Sequence, residues 1–213
     1  MIQKKILNQR IREIFWIFVI GSFIGCIYES ILCIIQKGSF ESRQGLVYGP
    51  FTPVYGAGAV IFMLLLEKRK NIFSMFLIGT LTGGIVEYLF SLFQQFFFGT
   101  VSWDYHNKFN LFGRTSLFHS IMWGMIGVLF IKLLLPFLLN FLRSFKESKL
   151  RVTTLIVMVF MSINIIISWG AASRQDERTH NIPAKGILDQ FFDARFPDER
   201  MDKIYANKKV VGG

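Results

Sequence analysis

Ile20-Gly21-Ser22-Phe23-Ile24-Gly25-Cys26-Ile27-Tyr28-Glu29 aligns without gaps on Ile78-Gly79-Thr80-Leu81-Thr82-Gly83-Gly84-Ile85-Val86-Glu87. In each stretch Gly, Gly and Glu fall at i, i+4 and i+8, so a helix carries two close-packing positions and one carboxylate on a single face. Both stretches lie inside apolar segments of membrane length. A carboxylate near the middle of such a span costs roughly 2.5 to 3.5 kcal/mol on insertion scales, so the two glutamates face protein or a polar chamber and not lipid.

The surrounding composition agrees. The 213 residues are 52% hydrophobic and include 24 phenylalanines, with a mean hydropathy of +0.44, which reads as a multi-pass membrane protein with the lipid bilayer as its main partner. The net charge of +10 does not mark a nucleic-acid surface, because the basic residues gather at the ends of apolar segments and report topology. Cys26 and Cys33, seven residues apart in one apolar segment, are small buried side chains and neither a disulfide framework nor a zinc site. The first apolar segment follows a polar head, Met1 to Arg12, and lacks a small-residue cleavage pattern, so it is expected to remain as an anchor helix.

Five spans of roughly 20 residues are expected: Glu13 to Gln36, Pro50 to Leu66, Ile72 to Phe98, Leu117 to Leu142 and Val152 to Ala172. Lys4, Lys5, Arg10 and Arg12 precede the first. Lys68, Arg69 and Lys70 fill the second connection, and Arg143, Lys146, Lys149 and Arg151 the fourth. They outnumber Lys37, Arg43, Lys108 and Arg114 of the first and third connections, which places the amino terminus in the cytoplasm of a cell-membrane protein. The tail, residues 173–213, has basic and acidic residues in near balance. Ile187, Leu188, Phe191 and Phe192, then Phe196-Pro197-Asp198-Glu199-Arg200, predict two short amphipathic helices there.

The resemblance between the two quoted stretches extends further. Tyr55-Gly56-Ala57-Gly58-Ala59-Val60-Ile61-Phe62 aligns on Trp123-Gly124-Met125-Ile126-Gly127-Val128-Leu129-Phe130. The expected fold is therefore an all-α membrane protein, with a five-span domain over residues 1–172 and the amphipathic tail over 173–213. Within it, residues 13–66 and 72–142 form two helical hairpins related as a parallel repeat, followed by a fifth helix. The offset grows from 58 residues in the first aligned pair to 68 in the second, so the later hairpin carries an insertion of about ten residues in its connection.

Glu29 lies seven residues before Gln36, roughly 10 Å of helix from the end of its span, too deep for a short side chain to reach the interface. Both carboxylates need partners. Arg43 and Arg114 in the two outer connections are the candidate donors, and His119 sits one turn into the fourth span. The entry to the second span crowds Gly45, Gly49, Pro50, Pro53, Gly56 and Gly58 together, and interrupted spans of this kind mark binding sites because irregular backbone at depth must line protein or water. Tyr48, Tyr55, Asp104, Asn110 and Trp123 complete the candidate substrate-binding set. A polar solute carrying both charges suits such a place. No phosphate loop and no metal-ligand or nucleophile motif occurs, so neither a metal nor a cofactor is expected, and the chain cannot power transport by itself.

Gly25-x-x-Tyr28-Glu29, Tyr48-Gly49-Pro50-Phe51, Pro53-x-Tyr55-Gly56, Trp103-Asp104-Tyr105, Asn110-Leu111-x-Gly113-Arg114, Ser120-x-x-Trp123-Gly124 and the tail run Phe196-Pro197-Asp198-Glu199-Arg200 resemble the CmpB-like ABC-transporter type IV family. The resemblance runs through nearly the whole chain and implies a bacterial, multi-pass permease, with a separate ATPase or other membrane subunit as partner. One departure concerns Arg43: the family pattern places an arginine directly before the glycine, whereas Gln44 precedes Gly45 here, which favours Arg114 over Arg43. The leading expectation is a permease or solute-binding component with a polar outer cavity lined by Glu29 and Glu87. The alternatives are an intramembrane enzyme with a glutamate base acting on a lipid-linked or peptide substrate, and a non-catalytic assembly partner.

Overall fold

The computed structural model describes residues 2–210, with side chains from residue 6 to residue 209. The side chains of Lys4 and Lys5, and residues 211–213 of the expected tail, lie outside these bounds. Helix α1 (Ile2–Lys37) joins the polar head to the first apolar segment without a break. Then come α2 (Pro53–Leu66) and α3 (Ile72–Phe98). The next apolar stretch is α4 (Leu117–Leu129), a π-helical turn (Phe130–Leu134) and α5 (Leu135–Ser144). The wide turn precedes Pro136, whose ring would strike the carbonyl four residues back in a regular helix. Helix α6 (Glu147–Thr179) leads to the short helices α7 (Ile187–Arg195) and α8 (Asp198–Ile204) foreseen in the tail.

Four stretches, Ile6–Lys37, Ile72–Phe98, Leu117–Ser144 and Glu147–Thr179, are long and apolar enough to cross a membrane. The expected second span is not among them, since α2 has 14 residues. That length reaches about 21 Å, whereas the hydrocarbon core is about 30 Å thick. The reason lies in the preceding segment, where Gly49 has a φ of +74° and Pro53 opens the helix. These residues hold the chain in an irregular course from Gly45 to Thr52.

That irregular segment is buried against α1 and α6. Leu46 and Val47 are 4% and 5% exposed, and the backbone groups there find partners, as burial demands. Thr52 N–H donates to the Ser22 carbonyl at 2.9 Å. The Asn164 amide clamps Tyr48, its Oδ1 accepting from the Tyr48 N–H at 3.2 Å and its Nδ2 donating to the Tyr48 carbonyl at 2.7 Å. Ser168 Oγ accepts from Val47 N–H at 2.9 Å. Ser22 and Asn164 sit midway along α1 and α6, so the connection descends to the middle of the bundle before α2 begins.

Ion pairs tie the helix ends together. At the head end Arg10 bonds Glu67, Arg143 Nε donates to Glu13 at 2.8 Å, and Arg12 lies 2.6 Å from Glu147. At the opposite, tail end, the strand β1 (Thr100–Val101) pairs antiparallel with β4 (Lys209–Val210), while β2 (Asn110–Leu111) and β3 (Thr115–Ser116) form a hairpin before α4. Arg174 grips both oxygens of Asp193 at 2.9 Å, and Arg178 joins Asp193 and Asp198 at 2.6 Å. Phe196 and Met201 of the tail are fully buried against Val47 and Ala171.

Glycines set the closest helix crossings. A methyl on Gly21 would meet the Ala59 side chain and the Gly56 backbone, and one on Gly56 would strike Ser22 Oγ and the Phe18 carbonyl. In the α3–α4 crossing, a methyl on Gly79 would press the Gly124 backbone, and one on Gly124 would strike Thr80 Oγ1 and the Phe76 carbonyl. The main core lies between these crossings, around Ile17, Phe62, Met63, Leu66, Met75 and Trp123.

Candidate functional site

Glu29 is carried by α1 eight residues beyond Gly21, and Glu87 by α3 eight beyond Gly79. Glu29 faces the helix that its glycines admit, and Glu87 faces the chain that leads into the helix admitted by its own. The Tyr55 hydroxyl, from the first turn of α2, donates to Glu29 Oε1 at 2.6 Å. Glu87, 7% exposed, receives the Tyr105 hydroxyl on Oε1 at 2.9 Å and the Thr115 hydroxyl on Oε2 at 2.7 Å. Glu87 lies within electrostatic reach of Glu29, and Tyr105 within reach of both. Burial first, and then the Glu87 carboxylate, push the phenol of Tyr105 well above its ordinary range.

Aromatic rings enclose this cluster. Tyr55 lies 5.3 Å, centroid to centroid, from Trp123, whose ring also fills the space beside Gly58 and Gly83. The His119 imidazole stacks on Tyr105 at 4.1 Å, with its Nδ1 2.7 Å from Ser116 Oγ. Glu29, Tyr55, Trp123 and His119 of the expected set are thus brought together with Glu87.

The arginines are placed differently from expectation. Arg114 reaches Ser91 Oγ at 3.3 Å and bonds the Gln95 amide oxygen, with its guanidinium 5.9 Å from the Tyr88 ring centre. Ser91 and Gln95 stand four and eight residues past Glu87, so Arg114 lies on the same face of α3 but one to two turns, roughly 6 to 12 Å, further toward the tail end. Arg43 bonds Cys33 Sγ at 3.2 Å and Glu41 at 3.4 Å. Cys33 stands four residues past Glu29, and Arg43 is within electrostatic reach of that carboxylate. Each arginine therefore sits one to two turns beyond its glutamate without bonding it.

Three other expected residues are held by contacts elsewhere in the chain. Tyr48 turns its ring edge-on to Phe196 at 6.1 Å. Asp104 caps the turn at His106, whose N–H it accepts at 3.0 Å, and that bond holds its carboxyl below the ordinary range. The Asn110 side chain closes the β2–β3 turn by accepting from Gly113 N–H at 2.7 Å. Tyr105 and Thr115 were not among the expected ligands of Glu87. The signal for Tyr105 was its place in the inserted connection, whereas Thr115 has no distinguishing spacing.

A cavity of about 330 Å³ opens beside this cluster, between α3, α6, the irregular segment and the tail. Neither Glu29 nor Glu87 lines it, so the large cavity is not the chamber expected around the carboxylates. Among the described residues no group of three His, Cys, Asp or Glu side chains is arranged to hold a metal ion.

No curated protein and no solved structure matches the chain. A family model described as "Putative ABC-transporter type IV" matches residues 16–169, from within the first helix to within the last long one. That stretch holds both glutamates, their hydroxyl donors and the irregular segment, and the chain belongs to this ABC-transporter type IV family.

Proposed function

We propose that the protein is the membrane component of a transport system, in which Glu29 and Glu87 form one binding centre for the cationic group of a small polar solute or for a proton. The observation that carries this reading is the kind of partner each carboxylate has. Glu13, at the head end, is bonded by the guanidinium of Arg143, as an acid used to fasten helices would be. Glu29 and Glu87 are bonded by neutral hydroxyls alone among the described residues. Two neighbouring acids without a bonded base leave a partner to be supplied from outside. The arginines one to two turns beyond them suit the carboxylate of a zwitterionic solute.

The likeness of the two hairpins in sequence supports the same reading. The crossings at Gly21 and Gly56 and at Gly79 and Gly124 involve aligned residues, and Arg43 on Cys33 corresponds to Arg114 on Ser91 at the same offset of 58 residues along the first helix of each pair. In this reading α2 with its irregular entry acts as the fifth crossing, the amino terminus is cytoplasmic, and both carboxylates are approached from the outer side. An ATPase subunit would supply energy that the chain cannot.

The test is thermal unfolding of the purified full chain against a panel of amino acids, betaines and polyamines. At least one solute is expected to stabilise the wild type, and Glu29→Gln and Glu87→Gln to insert normally while abolishing that shift. If no solute in the panel shifts the wild type, or if the shift survives both substitutions, the carboxylate pair is not a solute site.

A further inference from the structure

The cavity between α3 and α6 has the polarity profile of one leaflet of a bilayer. Along α6 its wall runs from Ile165 to Thr179, a rise of about 21 Å, which matches half of the roughly 40–45 Å thickness of a bilayer with its headgroups. The deep part is apolar, walled by Phe90, Phe93, Ile165 and Trp169. Phe93 and Trp169 pack edge-on at 5.4 Å and are 43% and 40% exposed, so the cavity opens sideways onto the lipid-facing surface. The mouth, level with the tail, is polar and carries Asp176 and Lys208. Among the described residues the Lys208 ammonium donates one hydrogen bond, to Gln175 Oε1 at 2.5 Å, of the three it can make.

We propose that this cavity binds a single glycerophospholipid, with one acyl chain lying along the wall formed by Phe90, Phe93 and Trp169, its phosphate on Lys208 and a hydroxyl of its headgroup on Asp176. The site is separate from the carboxylate pair and does not rest on the transport reading. Its volume sits at the low end of roughly 300–1,000 Å³ typical of ligand pockets, enough for a chain and not for a whole lipid. The tail strand β4 follows Lys208 directly and is fastened to β1, so a bound headgroup bears on the docking of the tail.

Native mass spectrometry of the full chain in detergent, with added phosphatidylglycerol, phosphatidylcholine of the same chains, or glycerol phosphate, tests the assignment. One phosphatidylglycerol is expected to remain bound after detergent is stripped, about tenfold more often than phosphatidylcholine, and glycerol phosphate alone is expected not to bind. Ala172→Phe, which fills the cavity, is expected to remove retention of both lipids. Lys208→Gln, at the mouth, is expected to abolish the preference between them while chain-dependent retention persists. Equal lipid retention by wild type and Ala172→Phe overturns the site, as does binding of glycerol phosphate as strong as that of the lipid. An unchanged preference in Lys208→Gln overturns the headgroup assignment, and the same two readouts apply if Ala172→Phe folds poorly, because Lys208 lies outside the core.

Discussion

The hydroxyl of Tyr55 donates a 2.6 Å hydrogen bond to Glu29 across the α1–α2 crossing, and the ring that carries it rests against Gly25, where a methyl would collide with it. One residue thus fills the gap left by a glycine and satisfies the acid one turn further on. Tyr55→Phe keeps the packing and removes the donor. A hydrogen bond to a charged group contributes about 1.5–3 kcal/mol, so a loss of stability of that order, with helix content unchanged, is expected in chemical denaturation monitored by Trp fluorescence.

Gly83 stands where Trp123 begins, its added methyl meeting the Trp123 Cβ and ring. A side chain anchored so near the backbone cannot swing away, and overpacking of this kind costs about 1–3 kcal/mol. Gly83→Ala is expected to lower the melting temperature, while Gly186→Ala, where the space is open, leaves it unchanged. Equal melting temperatures for the two variants would contradict the close α3–α4 crossing.

Asn164 holds both the N–H and the carbonyl of Tyr48. Asn164→Ala leaves two buried backbone groups unpaired, at about 1–3 kcal/mol each. Hydrogen exchange in residues 45–52 is expected to accelerate by at least tenfold, with α1 and α3 unaffected.

The tail should respond to acid. Hydrogen bonds from Arg174 hold the Asp193 carboxyl below its ordinary value of 3.8. Because the folded value is depressed, the stabilisation is present above that ordinary value and is lost as pH falls through the folded one. Proteolysis of the tail should therefore quicken below about pH 4 in the wild type, and Asp193→Asn should show fast cleavage with little of this pH dependence.

Much of the arrangement was legible because the bilayer imposes it. Membrane-length apolar runs, the Gly-Gly-Glu spacing and the tail helices all follow from local pattern, and the length rule identified four stretches that the helices bear out. The second span misled that rule. Its apolar residues continue back to Pro50, but Gly49 and Pro53 prevent a helix there, and Ser22, Asn164 and Ser168 supply the hydrogen bonds that let irregular chain lie at depth. Those three residues are ordinary in the sequence.

The arginines illustrate the same division. Their position in the two connections is readable from charge alone, yet whether each meets its glutamate depends on the turn that carries it. The β2–β3 hairpin leads Arg114 to Ser91 and Gln95, and the connection between α3 and α4 brings Tyr105 to Glu87 instead. By itself the sequence determined that two acids at membrane depth sit on glycine-lined helix faces, because helical period and the exclusion of charge from lipid are local and general. Only the tertiary structure decided which groups answer them, because hydrogen bonds between residues 18, 26 and 28 positions apart depend on where the connecting chain turns.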